Sequence, residues 1–389
     1  MDSQQAESAV IIIGGGIGGL TLAAYLQKLN LACEVFETAK TPDPIGGGLK
    51  LWPNALKSFA NLGVVQQLKA KGSVIKTGFV KKNDGSILSR IPLGNLEHST
   101  GYPTLSLTRA NILEILRQNI SKDIIHNGKK FQLFEDTSDG VKVIFEDRSI
   151  HHGKILVGVD GVQSAVRGQL FFDRKLEYAG RISWRGLVSK NRLGAICPET
   201  ESWEILGKGS RFGYAHMGAE QIGWYAPINN LEDFYPVDTK KYLLDYFKSW
   251  PRPVCELIEN TQVETIVRSP IRYRGFDEDW GRDHATLLGD AAHAMTPDLA
   301  QGACQAIEDA IALGNALKAL GLTPQALRAY EKGRIERVRY VANRSMRIGK
   351  ISNHEGALVS WLMEKMWKIL PGSIALKGIE KVVRLDSSN

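Results

Sequence analysis

Cysteine is scarce in this chain: four in 389 residues, Cys33, Cys197, Cys255 and Cys304, far apart and with no Cys-x-x-Cys pair. That argues against a disulfide framework or a cysteine zinc site, and a reducing, cytoplasmic setting is expected. Long apolar runs are missing as well, and none reaches the ~18–20 residues that cross a bilayer. Met1–Ser8 is polar and acidic, unlike a signal peptide. His, Cys, Asp and Glu nowhere gather at metal-ligand spacing, so no metal is expected, and no Ser-His-Asp order suggests a hydrolase. With 43% hydrophobic and 23% charged residues, the composition excludes disorder, collagen and coiled coil. At ~150 residues per domain, the length suggests two or three domains, or one large domain with an insertion.

Most of the chain also lacks a charge imbalance. The net +7 lies within residues 324–389, where 13 Lys/Arg face 6 Asp/Glu, so residues 1–323 are neutral. These charges, Arg328, Arg334, Arg337 and Lys350 among them, fall in a helix-patterned run and read as a solvated helix face. No aromatic interleaving or recognised module accompanies them, so nucleic acid is not an expected partner.

Glycine is what the chain has in excess, 39 residues gathered in a few clusters. The first cluster follows Ala9–Ile13, a continuous apolar run of the kind a strand buried on both faces requires. A helix pattern then runs from about Gly18 to Leu29, and Cys33–Glu37 reads as the next strand. Residues 54–70 and 108–120 read as helices, and strands fill about 74–91 and 129–159. The stretch 178–267 is aromatic, Gly-rich and mostly strand-like, with one amphipathic helix near 239–249. Helix dominates from 303 to 385. This order suggests an α/β domain interrupted by a β-rich one and completed by helices.

Gly14-Gly15-Gly16-Ile17-Gly18-Gly19 contains Gly-x-Gly-x-x-Gly at Gly14, Gly16 and Gly19. Gly14 permits the tight turn, Gly16 lets a pyrophosphate approach the backbone, and Gly19 lets helix pack on strand. The helix start then offers free N–H groups to phosphate. Glu37, at the end of the next strand, can bind both hydroxyls of an adenosine ribose. An acid there disfavours a 2′-phosphate, so FAD and NAD both remain as readings of this loop.

Two later segments bear on that choice: Leu156-Val157-Gly158-Val159-Asp160-Gly161 through Arg167, and Leu287-Leu288-Gly289-Asp290-Ala291-Ala292-His293 through Pro297. Together with the first loop they resemble the three signatures of the group A flavoprotein monooxygenases, the aromatic-hydroxylase and epoxidase family. The likeness runs in order over nearly the whole chain. It takes in Trp52-Pro53-Asn54-Ala55, Arg109 before a helix, Trp184-Arg185-Gly186, and Gln301-Gly302 through Asp309. Thr296-Pro297-Asp298 with Gln301-Gly302 is similar to bacterial urate hydroxylases; zeaxanthin epoxidases and plant-type monooxygenases are similar too.

The resemblance implies a Rossmann-like α/β FAD-binding domain (1–73, 101–177 and 268–330) interrupted by a β-sheet substrate domain (74–100 and 178–267), with C-terminal helices (331–389). It implies tightly held FAD and, since no second nucleotide fold is visible, NADH or NADPH as transient reductant. A C4a-hydroperoxyflavin would pass oxygen from O2 to an aromatic, heteroaromatic or polyene small molecule; a flavin reductase or a non-catalytic flavin-binding protein on the same fold are the alternatives. Asp290 would accept hydrogen bonds from the ribityl chain, Asp160 would link FAD and nicotinamide, and Arg109, Pro297 and Gly302 would border the flavin. Asp298 and Arg211 carry over as catalytic-site candidates, with Arg211 a possible anchor for an anionic substrate. The urate-hydroxylase tyrosine does not align cleanly; Trp224 and Tyr225 lie near its place, and Tyr225 is the third catalytic-site candidate.

Two positions depart from the family pattern: Thr38 follows Glu37 where an arginine is common, and Lys50 stands in the Gly46–Leu51 flavin-edge loop. Lys50 either touches flavin or substrate, or points to solvent. Trp184, Phe212, Tyr214, Trp224 and Tyr225 are expected in the pocket ceiling or its core. His216 is a proton-transfer candidate or a structural residue, and His293 reads as structural or cofactor-supporting. Near the end, Ala357–Leu370 forms an apolar helix with Trp361 and Trp367, flanked by lysines. It docks over the domain seam or makes peripheral membrane contact. A monomer or homodimer is expected.

Overall fold

The computed structural model describes residues 8–41, 47–172, 176–275, 278–356, 365–367 and 372–384. Its first sheet has eight strands. Ser8–Ile13 runs parallel between Cys33–Glu37 and Ile150–Gly158. Val10, Ile11 and Ile12 have no exposed surface, as strands covered on both faces require. Ala285–Leu287 and Ile125–Asn127 extend the parallel core, while Phe131–Thr137 and Gly140–Phe145 add an antiparallel hairpin. The helices Ile17–Lys28 and Gly302–Leu320 pack together, and the Tyr25 hydroxyl donates to Asn315 Oδ1 at 2.6 Å.

The second sheet has seven strands, in the order Val267–Tyr273, Glu177–Ser189, Gln221–Asn229, Arg211–His216, Glu201–Leu206, Thr77–Lys82 and Ile87–Ile91. Side chains alternate between its faces. Ile182, Trp184, Phe212, Trp224 and Ile228 share a core with the helices Thr239–Phe247 and Val254–Asn260. The opposite parity puts Arg181, Ser183 and Arg185, Ser202 and Glu204, Arg211 and Gly213, and Tyr225 on the other face. A small antiparallel sheet, Gly48–Leu51, Thr104–Thr108 and Ser73–Ile75, carries Lys50.

Three sequence expectations change. Residues 54–70 are two helices, Pro53–Ala60 and Val65–Lys71, because Gly63 adopts φ 78° between them. A second helix, Val254–Asn260, follows the one expected near 239–249. Nor is the basic helix Pro324–Ser352 simply solvated: Arg334 is buried, and it and Arg337 donate to Glu308 and Asp309 at 2.7 Å. Burying so many charges works only because each has an opposite partner.

Trp361 and most of the helix expected over 357–370 lie outside the described residues. Trp367 packs partly against the main core, and the helix Gly372–Val383 buries Leu376, Val382 and Val383. Among the described residues no helix is long and apolar enough to cross a membrane. All four cysteines are free thiols.

Candidate active site and cofactor cradle

The first glycine loop has the geometry of a phosphate cradle. Gly14 sits at φ 116°, and a Cβ there would lie 2.4 Å from the Val159 carbonyl oxygen. A Cβ on Gly19 would lie 1.9 Å from the Gly14 carbonyl oxygen, so helix and strand meet backbone to backbone. Gly16 differs: a Cβ there would meet nothing within 4 Å. Its bare side is the open approach that a phosphate needs. The helix Ile17–Lys28 starts with no side-chain cap and no acid in its first turn, so its N–H groups stay available to an anion. Glu37 is held rigidly beside it, Oε2 accepting from the Gly15 N–H at 2.7 Å and Oε1 from the Ala39 N–H at 2.8 Å. Each oxygen keeps acceptor capacity for a ribose hydroxyl.

Asp290 opens the helix Asp290–His293, whose N-cap is Gly289, so capping does not explain the carboxylate. No hydrogen bond reaches that carboxylate among the described residues, and its Oδ1 is 3.8 Å from where a Cβ on Gly302 would lie. Asp290 is enclosed by protein yet open to solvent, and desolvation pushes its carboxyl up, against the pull of His293. A deep, accessible, unpartnered acceptor beside the bare start of the helix Gly302–Leu320 fits a polyol chain. Asp160 is more committed. It accepts from Ser164 Oγ at 2.5 Å and from the N–H groups of Ala165 and Val166 at 2.7 and 3.2 Å, at the start of the helix Ala165–Phe171, whose N-cap is Ser164. Arg109 opens the helix Arg109–Gln118, and its N–H donates to the Gly47 carbonyl at 3.3 Å. Its side chain is half-exposed and makes no hydrogen bond among the described residues.

Two motifs far apart in sequence meet beside this cradle. The Trp52 indole N–H donates to the Leu299 carbonyl at 3.0 Å, and Asn54 Nδ2 donates to Gln301 at 2.9 Å and Glu308 at 2.6 Å. They fix the 296–302 loop, on which Pro297 is exposed while Thr296 and Gln301 are buried.

The second sheet meets that loop through buried charges. Arg181 pairs with Asp298 through two contacts, at 2.8 and 3.1 Å. Arg211 Nη2 donates to Asp298 Oδ1 at 2.5 Å, its Nη1 to Glu204 at 2.9 Å and its Nε to Asn353 Oδ1 at 3.3 Å. The Tyr225 hydroxyl donates to Glu204 Oε2 at 2.6 Å. Burial alone would raise the Asp298 carboxyl, but the Arg181 hydrogen bonds and the Arg211 charge outweigh it and hold it below the usual range. Burial and the Glu204 charge push the Tyr225 phenol well up. Lys50 does not point to solvent. Its Nζ is 3.4 Å from Ser202 Oγ and lies over the Trp52 ring, and desolvation lowers its pKa against the opposing Glu204 charge.

Residues 7–345 match the family of FAD binding domains. The chain is an FAD-dependent monooxygenase of that family. This monooxygenase is 36% identical to the aurachin C monooxygenase/isomerase of Stigmatella aurantiaca, over 93% of this chain and 94% of the relative. It is 32% identical to the FAD-dependent urate hydroxylase of Klebsiella pneumoniae, over 85% and 86%. The crystal structure of Klebsiella pneumoniae HpxO complexed with FAD and uric acid superposes with a TM-score of 0.91 at 26% identity, covering 97% of each chain. FAD is the cofactor of the monooxygenase, and the cradle above fits it.

Arg211 thus meets Asp298 directly and Tyr225 through Glu204, while Gly14, Gly16, Gly19 and Glu37 form a separate cluster and Asp290 faces Gly302. Of the expected aromatic ceiling, Trp184, Phe212, Tyr214 and Trp224 are core on the far face, and Tyr225 alone has the site-side parity. His216 contacts the Cys197 carbonyl at 2.9 Å, and His293 contacts Asp309 at 2.6 Å, and both are buried. Sequence reasoning missed Arg181, Glu204 and Asn353. The signal for the first two was alternation: Arg181, Ser183 and Arg185 are polar at every second position, as are Ser202 and Glu204.

Proposed function

We propose that this monooxygenase uses NADH or NADPH and O2 to hydroxylate or epoxidise an aromatic, heteroaromatic or polyene small molecule. The substrate lies between the FAD cradle and the site face of the second sheet. Bound FAD supplies O2 activation and oxygen transfer. The chain supplies the rest. Glu37 and Asp290 hold the cofactor's hydroxyls, the helix N-termini face its phosphates and ring edge, and Pro297 borders the substrate. Arg181, Arg211 and Asp298 clamp the sheet to the 296–302 loop and so set the width of the pocket. The domain division drawn from the sequence is retained in this reading.

One observation carries the proposal. Lys50, Glu204 and Tyr225 are part-accessible where the small sheet meets the second one, Lys50 reaching Ser202 and Tyr225 reaching Glu204, and the accessible Asp290 carboxylate stands beside Gly302 at the other end of the 296–302 loop. Relatives named for urate, 3-amino-4-hydroxybenzoate and zeaxanthin support a π-rich substrate. The test screens phenols, purines, quinolones and carotenoids for stimulated NADH or NADPH oxidation under ¹⁸O2. A product carrying one ¹⁸O is expected. A substrate reduced without oxygen would leave the reductase reading in its place.

A further inference from the structure

The polar side chains around the pocket are not equally free to meet a ligand. The Asp298 side chain has no accessible surface, and its oxygens are taken by Arg181 and Arg211. Arg211, 5% accessible, spends all three guanidinium nitrogens on Asn353, Glu204 and Asp298. An anionic substrate therefore finds no free guanidinium at Arg211. Glu204 is different, with 29% of its side chain accessible. One oxygen accepts from Arg211 and the other from Tyr225. A carboxylate oxygen offers two acceptor positions, so each keeps one.

The surroundings of Glu204 suit a flat ring. Tyr225, Gly213 and Glu204 lie in one row across three strands. A Cβ on Gly213 would be 2.2 Å from the Tyr225 ring, so the missing side chain lets that ring lie flat against the sheet. Ser202, two residues along the same strand, shares this face, and its hydroxyl meets the Lys50 ammonium from the facing strand. An acceptor and a cationic donor thus stand together on one side of the pocket.

Resting on the monooxygenase pocket proposed above, we infer that Glu204 is the substrate-facing carboxylate and selects a ring bearing an acidic O–H or N–H over one bearing a carboxylate. Glu204 accepts the substrate's hydrogen bond. When the proton transfers, the O–H or N–H bond breaks, its electron pair stays on the substrate and the proton goes to Glu204, while Lys50 faces the charge left behind. A carboxylate in the same place would set its charge against that of Glu204 while the Arg181 and Arg211 guanidinium groups are already paired; Arg185, across from Tyr225 on the same face, donates to Ser269 Oγ at 3.0 Å and would be its remaining counter-charge.

The test uses the flavin-loaded enzyme and two ligands of similar size, 4-nitrophenol and 4-nitrobenzoate, with binding read from the flavin difference spectrum. The wild type is expected to bind 4-nitrophenol at least about 10-fold more tightly, the scale of one charge-assisted hydrogen bond. Glu204→Gln keeps partners for Arg211 and Tyr225 but removes the charge; it should weaken 4-nitrophenol about 10-fold and strengthen 4-nitrobenzoate. Tyr225→Phe, which keeps the Glu204 charge, should preserve the preference. Should the Gln variant lose its flavin, Glu204→Asp carries the comparison, with the preference kept and 4-nitrophenol several-fold weaker. Equal binding of the two ligands by the wild type, no binding of either, or an unchanged preference in Glu204→Gln overturns the inference. Oxygen transfer in the ¹⁸O2 screen is read separately, so a lost preference with intact oxygenation removes only the role of Glu204.

Discussion

The cofactor cradle and the proposed substrate face are built from different materials. The cradle is mostly backbone: Gly14, Gly16 and Gly19 lie within six consecutive residues, and one carboxylate, Glu37, closes it. The substrate face is side chain throughout, with Arg181, Glu204, Arg211 and Tyr225 on four strands and Asp298 and Lys50 from two other elements. A backbone site tolerates few residue types at each position, so it leaves a motif. A side-chain site on a sheet needs only the right parity and register, so its members scatter along the chain. The first should therefore fail through lost FAD with the fold intact, and the second through lost stability or altered substrate choice with FAD retained.

The largest effect should come from Asp298→Asn. It leaves two buried guanidinium groups without their shared counter-charge, which costs about 3–5 kcal/mol. Because the folded carboxyl is held below its usual value, its contribution is complete above the unfolded pKa of ~3.9 and is lost as pH falls through the folded value. Urea unfolding of wild type and variant from pH 7 down to pH 3 should show the gap closing with acid. A constant gap would mean that shape rather than charge holds the loop.

Glu37→Ala should come next, weakening FAD by about 1.5–3 kcal/mol, the scale of a charge-assisted hydrogen bond. Flavin retained after dialysis reads it. The stability of the apoprotein should change less than FAD affinity, since the Gly15 and Ala39 N–H groups are only part-buried.

Gly16→Ala separates cradle from fold more sharply. Space around the added methyl is open, so the apoprotein should melt as the wild type does. The methyl would stand where the phosphates approach, and FAD should weaken by about 1–3 kcal/mol, the usual cost of overpacking. Undiminished FAD affinity would place the phosphates elsewhere.

The smallest effect contrasts two adjacent aromatics on opposite faces. Trp224 donates its indole N–H to Thr261 at 2.8 Å within the core, so Trp224→Phe should cost about 1 kcal/mol of stability and leave KM unchanged. Tyr225→Phe should change KM or kcat with little change in Tm. A reversal would mean that the face assignment is wrong.

What could be read in advance follows the same division. The α/β cradle and Glu37 were legible from local pattern; Asp298 and Arg211 entered as site candidates through family likeness, but their buried ion pair with each other was not legible. Whether the aromatics line the pocket ceiling or its core stayed open in the sequence, because aromatic enrichment marks a sheet without saying which face is which. Lys50 was left ambiguous because nothing near it in sequence shows that Ser202 and Glu204 face it.

The sequence alone determined the elements whose physics is local: the buried strand Val10–Ile13, the turn at Gly14 that only a left-handed conformation completes, and the uncapped helix start that attracts phosphate. Tertiary structure alone decided which carboxylate stays accessible. Asp298 and Glu204 are both acids near Arg211, and no local rule tells them apart. The difference arises because Asp298 meets a second guanidinium, Arg181, from two strands away and has no accessible side-chain surface, while Glu204 meets a phenol and keeps an open side.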